Sequence, residues 1–301
     1  MDSRTEQVTE NGSMSSITWE CDGIRLGHNL SRFNRFGRFS ASSQHKDVVR
    51  LHFGLKGDYS FSYQQLNREF DLIGGHHNIM YSKDFDMVVH NKSLEMETFG
   101  IQFPRDRFIG FTQNASDLLK RFSESIQRGE SVILTDHWGV IDPSIEQVIS
   151  QILYCPYAGD LKKLFLLSKS IELLVLSAEA CNRTRNQTNS FLKNKQDQEK
   201  IMAVRDLINE KLDNPPNLSE IARMVGLNEY KLKRGFKETF HTTVFGYLAE
   251  QRLQLAFRYM RDTQRTAAEI AYHLGYSTPQ HFNNAFKKKF GMTPYSVRKN
   301  P

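Results

Sequence analysis

The chain has 301 residues, 39% of them hydrophobic and 25% charged, which are ordinary globular values and leave room for about two domains. No apolar run approaches the ~18 residues of a membrane span, so no membrane partner is expected. The first fifteen residues hold no apolar segment, so no signal peptide is expected and the chain reads as a soluble cytoplasmic protein. The net charge of +6 is unevenly placed: residues 198–301 carry 17 Lys or Arg against 10 Asp or Glu, and the residues before them 23 against 24. A basic C-terminal third on a near-neutral body points to a polyanion partner, most often nucleic acid. Cys21, Cys155 and Cys181 are few, odd in number and far apart, which suits small reduced hydrophobes rather than disulfides or a zinc site.

Residues 1–15 are expected to form a disordered tail. Strand patterns follow over 16–105. Val49, Leu51, Phe53 and Leu55 alternate with other residues, Lys56-Gly57-Asp58 offers a turn, and Tyr59, Phe61 and Tyr63 alternate with serines, which predicts a hairpin. Further strands are expected at Ile79–Tyr81, Met87–His90 and Glu97–Phe103, after a break at Gly74-Gly75. The whole reads as an antiparallel β barrel or sandwich. Its aromatics Phe53, Phe61, Tyr63, Tyr81 and Phe99 are candidates to line an effector pocket.

The pattern then becomes helical over 142–181. Ile145, Val148, Ile149 and Ile152 mark one amphipathic helix over 143–153. Leu161, Leu164, Phe165, Ser168, Ile171, Leu174, Val175 and Ala178 mark a second over 160–181. The second stripe is broad enough to face the β domain alone or also a subunit partner, so a homodimer is one expectation. Residues 16–181 therefore read as an effector-binding and dimerisation domain. The polar stretch 182–198 reads as a linker that could be partly helical, and 199–301 as an all-α DNA-binding domain. The fold class is α+β: the β domain with its helical pair, then two helix-turn-helix units joined by a long helix.

The last third repeats itself with an offset of 49 residues: Asn217-Leu-Ser-Glu-Ile-Ala-Arg-Met-Val-Gly226 and Thr266-Ala-Ala-Glu-Ile-Ala-Tyr-His-Leu-Gly275. Asn217 with Glu220, and Thr266 with Glu269, have capping-box spacing. Gly226 and Gly275 can supply the left-handed turn that ends each helix. A second helix follows each glycine, at about Glu229–Phe240 and Thr278–Phe290, with Leu232 and Phe236, or Phe282, Phe286 and Phe290, turned inward. A short helix, a glycine turn and a second helix with a polar outer face make a helix-turn-helix.

The outer faces carry Tyr230, Lys233, Arg234 and Lys237 in the first unit, and Gln280, His281, Asn283, Asn284 and Lys287 in the second. Arg and Lys suit guanine O6/N7, and Asn and Gln suit adenine N6/N7. Lys237, Lys287 and Lys288 are assigned to phosphate, which positions a protein without specifying sequence. Between the units Val244–Asp262 reads as a helix of 19 residues. At ~1.5 Å per residue it spans roughly 28 Å, near the ~34 Å between major-groove openings on one DNA face.

The segment from about Ile201 to Arg298, and above all Glu269 through Arg298, resembles the DNA-binding domain of the AraC/XylS family of bacterial transcription regulators. The resemblance implies seven helices, and base contacts by Tyr230, Lys233 and Arg234 and by Gln280, His281, Asn283 and Asn284. Two positions depart from the family pattern. Asn284 stands where arginine is usual, and Gly235 stands where a bulkier apolar residue is usual, which should loosen the first recognition helix. Gly75-His-His-Asn-Ile-Met-Tyr81 and the helix around Tyr157–Leu176 resemble the sensor half of siderophore-responsive regulators of the PchR type.

The resulting expectation is a ligand-responsive activator. Its partners would be double-stranded DNA, RNA polymerase and a small effector such as a ferric siderophore. Two rivals stand beside it. A cupin-like metal-dependent enzyme on a DNA anchor would need a His-x-His ligand pair. Here His76 and His77 are adjacent and point to opposite faces of a strand, so no metal, cofactor or catalytic residue is expected. An architectural binder without an effector would show weak sequence preference.

Overall fold

The computed structural model describes residues 2–42, 46–63, 65, 68–84, 86–186, 191–192, 194–240 and 242–299. The chain divides into two compact units, Met1–Thr188 and Asn189–Pro301. No helix among the described residues is long and apolar enough to cross a membrane.

The first unit is two antiparallel sheets with helices on one side. The larger sheet contains β1 (Ser3–Thr9), β2 (Gly12–Cys21), β3 (Ile24–Phe33), β5 (Val48–Lys56), β8 (His76–Ser82), β10 (Glu95–Pro104), β11 (Val132–Ile133) and β12 (Gly139–Val140). Its order is β1-β2-β3-β10-β5-β8-β11, with β12 also pairing β8. The smaller sheet orders β4 (Arg38–Ser42), β9 (Asp86–Asn91), β6 (Tyr59–Tyr63) and β7 (Arg68–Leu72) as β4-β9-β6-β7. Side chains alternate between the faces of the large sheet. One face sends Leu51, Phe53, Ile79, Tyr81, Phe99 and Ile101 into a core shared with four helices: α1 (Arg105–Thr112), α2 (Asp117–Gln127), α3 (Pro143–Leu153) and α4 (Gly159–Asn186). The other side forms a second core with the small sheet, built from Tyr59, Phe61, Phe70, Leu72, Met80, Val89 and Met96.

Three sequence expectations change here. The described residues of the expected tail 1–15 lie largely in strands: β1 pairs with β2 from Ser3↔Thr18 to Thr9↔Gly12. Every β1 residue is exposed, so backbone hydrogen bonding rather than a buried face holds it, and no apolar alternation announces it. The expected hairpin of 49–55 with 59–63 does not form, because β5 pairs with β10 and β8 while β6 pairs with β7 and β9. Gly57 turns the chain from one sheet to the other at φ +82°. A Cβ there would lie 2.2 Å from the Glu95 carbonyl oxygen. The helix expected over 160–181 runs on to Asn186, and the next begins at Lys195, so the partly helical linker expected over 182–198 has helix at both ends among its described residues.

The broad stripe of α4 also splits. Leu166, Leu173, Leu174 and Ala178 are buried, whereas Leu161, Leu164 and Val175 are 57%, 63% and 58% exposed.

The second unit is seven helices among the described residues: α5 (Lys195–Glu210), α6 (Leu218–Val225), α7 (Glu229–Phe240), α8 (Val244–Asp262), α9 (Ala267–His273), α10 (Pro279–Phe290) and α11 (Pro294–Lys299). This is the number the resemblance implies. Thr243 starts α8 by accepting the Gly246 N–H at 3.0 Å. Aromatic packing fixes each half. Phe236 and Phe240 meet Tyr247 at 5.7 Å between ring centroids, and Phe257 stacks on Phe286 at 6.2 Å.

Candidate nucleic-acid interface

Both capping boxes close. The Asn217 side chain accepts the Glu220 N–H and the Glu220 carboxylate accepts the Asn217 N–H, each at 2.9 Å. Thr266 and Glu269 do the same at 3.2 and 2.6 Å. Each box satisfies backbone donors that the first turn of a helix leaves open. The turns that follow use Gly226 at φ +66° and Gly275 at φ +72°. Asn228 then caps α7 by accepting the Lys231 N–H at 2.7 Å, and Thr278 caps α10 by accepting the His281 N–H at 3.2 Å.

With Leu232, Phe236, Phe282 and Phe286 fully buried, helical periodicity turns the opposite faces of α7 and α10 outward. On α7, Tyr230, Lys233, Arg234 and Lys237 are all exposed. Lys233 pairs with Glu229 at 3.3 Å, and Arg234 donates to the Tyr230 hydroxyl at 2.9 Å. On α10, Gln280, His281, Asn283, Asn284, Lys287 and Lys288 are exposed. The third lysine of that run behaves differently: Lys289 turns back onto Glu250 of α8 at 2.6 Å. The two outer faces differ in chemistry. The first is cationic and suits guanine or phosphate, while the second is amide-rich and suits adenine.

Gly235 does not sit in a loose helix. It is buried in α7, and a Cβ added there would meet Leu192 at 2.9 and 3.0 Å and Ile201 at 3.2 Å. The missing side chain makes room for Leu192, which is itself buried. The packing offsets the cost that glycine carries inside a helix.

One side chain that holds this unit together gave no signal in the sequence. Arg252 of α8 donates from Nε to the Leu212 carbonyl at 2.6 Å, from Nη2 to the Asp213 carbonyl at 3.1 Å and from Nη1 to the Gly275 carbonyl at 3.3 Å. It thereby ties the loop after α5 to the turn of the second helix-turn-helix, and burial pulls its pKa down. A lone arginine on a helix reads as solvated surface until its carbonyl partners are placed around it.

Of the five candidate pocket aromatics, three share one core and a fourth lies in the other. Phe53, Tyr81 and Phe99 are buried beneath the helices, Phe61 is buried between the sheets, and the Tyr63 side chain lies outside the described residues. A cavity of about 360 Å³ opens instead beside α2 and β11, lined by residues such as Leu118, Phe122, Ile133 and Thr135. His76 donates from Nδ1 to the Ile73 carbonyl at 2.9 Å, while His77 points the other way into the helix-covered core. Between the sheets lie further polar groups. Arg50 and Asn78 are buried, and His52 is hydrogen-bonded to the Tyr59 hydroxyl. Burial lowers His52 to about 4 and raises the Tyr59 hydroxyl.

Comparison with known proteins places both units. The Regulatory protein PchR N-terminal domain model matches residues 26–192, and a Helix-turn-helix domain model matches 221–300. The chain is 37% identical over 121 residues to Regulatory protein PchR of Pseudomonas aeruginosa, an alignment that covers 40% of this chain and 41% of PchR. It is 34% identical over 101 residues to Regulatory protein SoxS of Salmonella typhimurium, covering 34% of this chain and 94% of SoxS. Among solved structures, an AraC-type transcriptional regulator from Chromobacterium violaceum matches 35% of this chain and 95% of its own at 27% identity, with a TM-score of 0.33. With a PchR-type domain over more than half its length and paired helix-turn-helix units behind it, the chain belongs to the AraC family of DNA-binding transcription regulators.

Proposed function

We propose that this regulator is a ligand-responsive activator without catalytic activity, acting in the cytoplasm with α7 and α10 in successive major-groove segments of one duplex face. The observation that carries the reading is the pair of outward faces, free of acids at the reading positions and held by one continuous helix, α8. The base-reading set is Tyr230, Lys233, Arg234, Gln280, His281, Asn283 and Asn284; Lys237, Lys287 and Lys288 take phosphate. Arg234→Ala should cost roughly 1–3 kcal/mol and relax specificity at one base, whereas Lys287→Ala should weaken all sequences about equally. Competition binding against single-base variants of a selected site checks this. A uniform loss for Arg234→Ala would move that residue to the phosphate class.

The effector reading places a small ligand in Met1–Thr188, with a ferric siderophore or similar chelate as the first class to test. Polar groups between the sheets, half-buried His52 and buried Asn78 among them, support it, because a mostly apolar site with a few fixed polar groups suits a small ligand. The homodimer reading rests on α4. Leu161, Leu164, Ser168, Ile171 and Val175 recur at the three-four spacing of a coiled-coil seam, and three of them are exposed apolar side chains. One series of sedimentation and melting runs checks both. The full chain should sediment as a dimer that Leu164→Glu converts to monomer, and a bound chelate should raise the melting temperature with concentration. A monomeric wild type, or a melting temperature indifferent to chelates, counts against the corresponding half. RNA polymerase is the partner an activator requires, and the exposed surface of the DNA-reading unit away from α7 and α10 is where it would dock.

A further inference from the structure

Phe191 precedes α5 and belongs to the second unit, but it lies against the recognition helix α7. The Arg234 guanidinium carbon stands 4.2 Å from the centroid of the Phe191 ring. The same ring meets Tyr230 edge-on at 5.8 Å, and Tyr230 accepts the Arg234 Nη1 donor. Arg234 is thus held from two sides: its face by a ring and one nitrogen by a hydroxyl. A guanidinium held by its face keeps its N–H edge open, and that edge is what a bidentate contact with guanine uses.

The ring is itself fixed. The Phe191 backbone N–H donates to Glu238 Oε1 at 2.9 Å, which ties it to the far end of α7. Leu192 is buried against Gly235 in the space that a larger residue would fill. The Leu192 carbonyl accepts the Gln198 side-chain amide at 2.9 Å, which ties the pair to α5. The glycine at 235 and the aromatic at 191 therefore form one arrangement: the first seats the segment, and the second reaches the reading arginine.

We propose that Phe191 is a positioning residue for base reading, which pre-orders Arg234 so that less side-chain freedom is lost on DNA. The proposal rests on the reading of Arg234 as a base contact. Ordering one long side chain on binding corresponds to about a threefold to tenfold change in affinity, while the cation–π contact, made in the free protein as well, cancels.

The test uses the full chain, a duplex it selects from random-sequence DNA, and the single-base variants of that duplex. Phe191→Ala should weaken binding about threefold to tenfold and lower discrimination at the same base as Arg234→Ala. In an Arg234→Ala background it should change almost nothing. Phe191→Trp, which keeps a π-face, should restore binding, and Phe191→Leu, which keeps the packing alone, should not. Equal losses from Phe191→Ala with and without Arg234, or full recovery by Phe191→Leu, would overturn the positioning role. Loss of affinity without loss of base discrimination in Arg234→Ala would instead overturn the base contact, so the two failures are distinguishable. Should Phe191→Ala lower the melting temperature, the Leu and Trp pair decides, since both fill the site.

Discussion

Between pH 7 and pH 5 the first unit should lose about 4 kcal/mol of stability through His52 and His77. His77 is fully buried and His52 is half-buried between the sheets, and desolvation lowers them to about 3 and about 4; for His77 the neighbouring His76 and Arg183 add to the effect. An unfolded histidine titrates near 6.5. Below that pH the unfolded chain takes up protons that the folded unit refuses, so stability is complete above about 6.5 and falls as the pH drops toward the folded values. Each histidine contributes about 2 kcal/mol of that loss by pH 5. Trp19 and Trp138 are the two tryptophans of the chain and both lie in this unit, so their fluorescence in denaturant reports it alone. His77→Leu provides the control. Both ring nitrogens of His77 lack a hydrogen-bond partner among the described residues, so an apolar side chain of similar size removes a burial cost without breaking a bond. The variant should be more stable than wild type at pH 7, and the gap should widen at pH 5. An unchanged gap would mean that His77 is not the titrating group.

In the second unit Gly275→Ala should cost about 3 kcal/mol or more, while Gly226→Ala should cost about 1 kcal/mol. Both glycines hold positive φ in equivalent turns, so both share the left-handed penalty. Their surroundings separate them. A Cβ on Gly275 would lie 2.4 Å from the Asp213 carbonyl oxygen and 2.5 Å from Arg252 Nη2, whereas one on Gly226 meets nothing closer than the flexible Lys200 ammonium at 3.5 Å. Relief at Gly275 must move backbone or break the three carbonyl contacts of Arg252. Helical ellipticity in denaturant and affinity for a selected duplex measure the two variants side by side, and equal losses would show that the turn conformation alone sets the cost.

The helical half was largely legible because its signals are local. Asn217, Glu220, Thr266 and Glu269 announce helix starts within four residues, and Val244–Asp262 keeps its apolar spacing from end to end. The sandwich was harder. Alternation tells which of Phe53, Phe61, Tyr81 and Phe99 share a strand face, but not whether helices or a second sheet cover that face. The hairpin over Lys56–Asp58 failed for the same reason: a turn signal does not say which strand comes next in space. The helix α2 carried a usable pattern in Leu118, Leu119, Phe122 and Ile126, all buried, and reading it would have closed the gap between the strands and α3. The end of α4 at Asn186 had no such pattern, since a polar stretch looks like a linker whether or not it is helical.

The central pairing of the large sheet sets a schedule for the newborn chain. His28 of β3 meets Phe99 of β10, so the sheet cannot close until residue 104 has left the ribosome. Such distant pairings fold in milliseconds to seconds, whereas compact helical units fold in microseconds to milliseconds. The order of synthesis offsets that handicap. Translating Asn189–Pro301 takes on the order of 6–20 s at bacterial speeds, longer than the sandwich needs. The slow-folding unit therefore has time to finish before the fast-folding one is complete, and a half-made chain does not present the helical unit without the sheet unit.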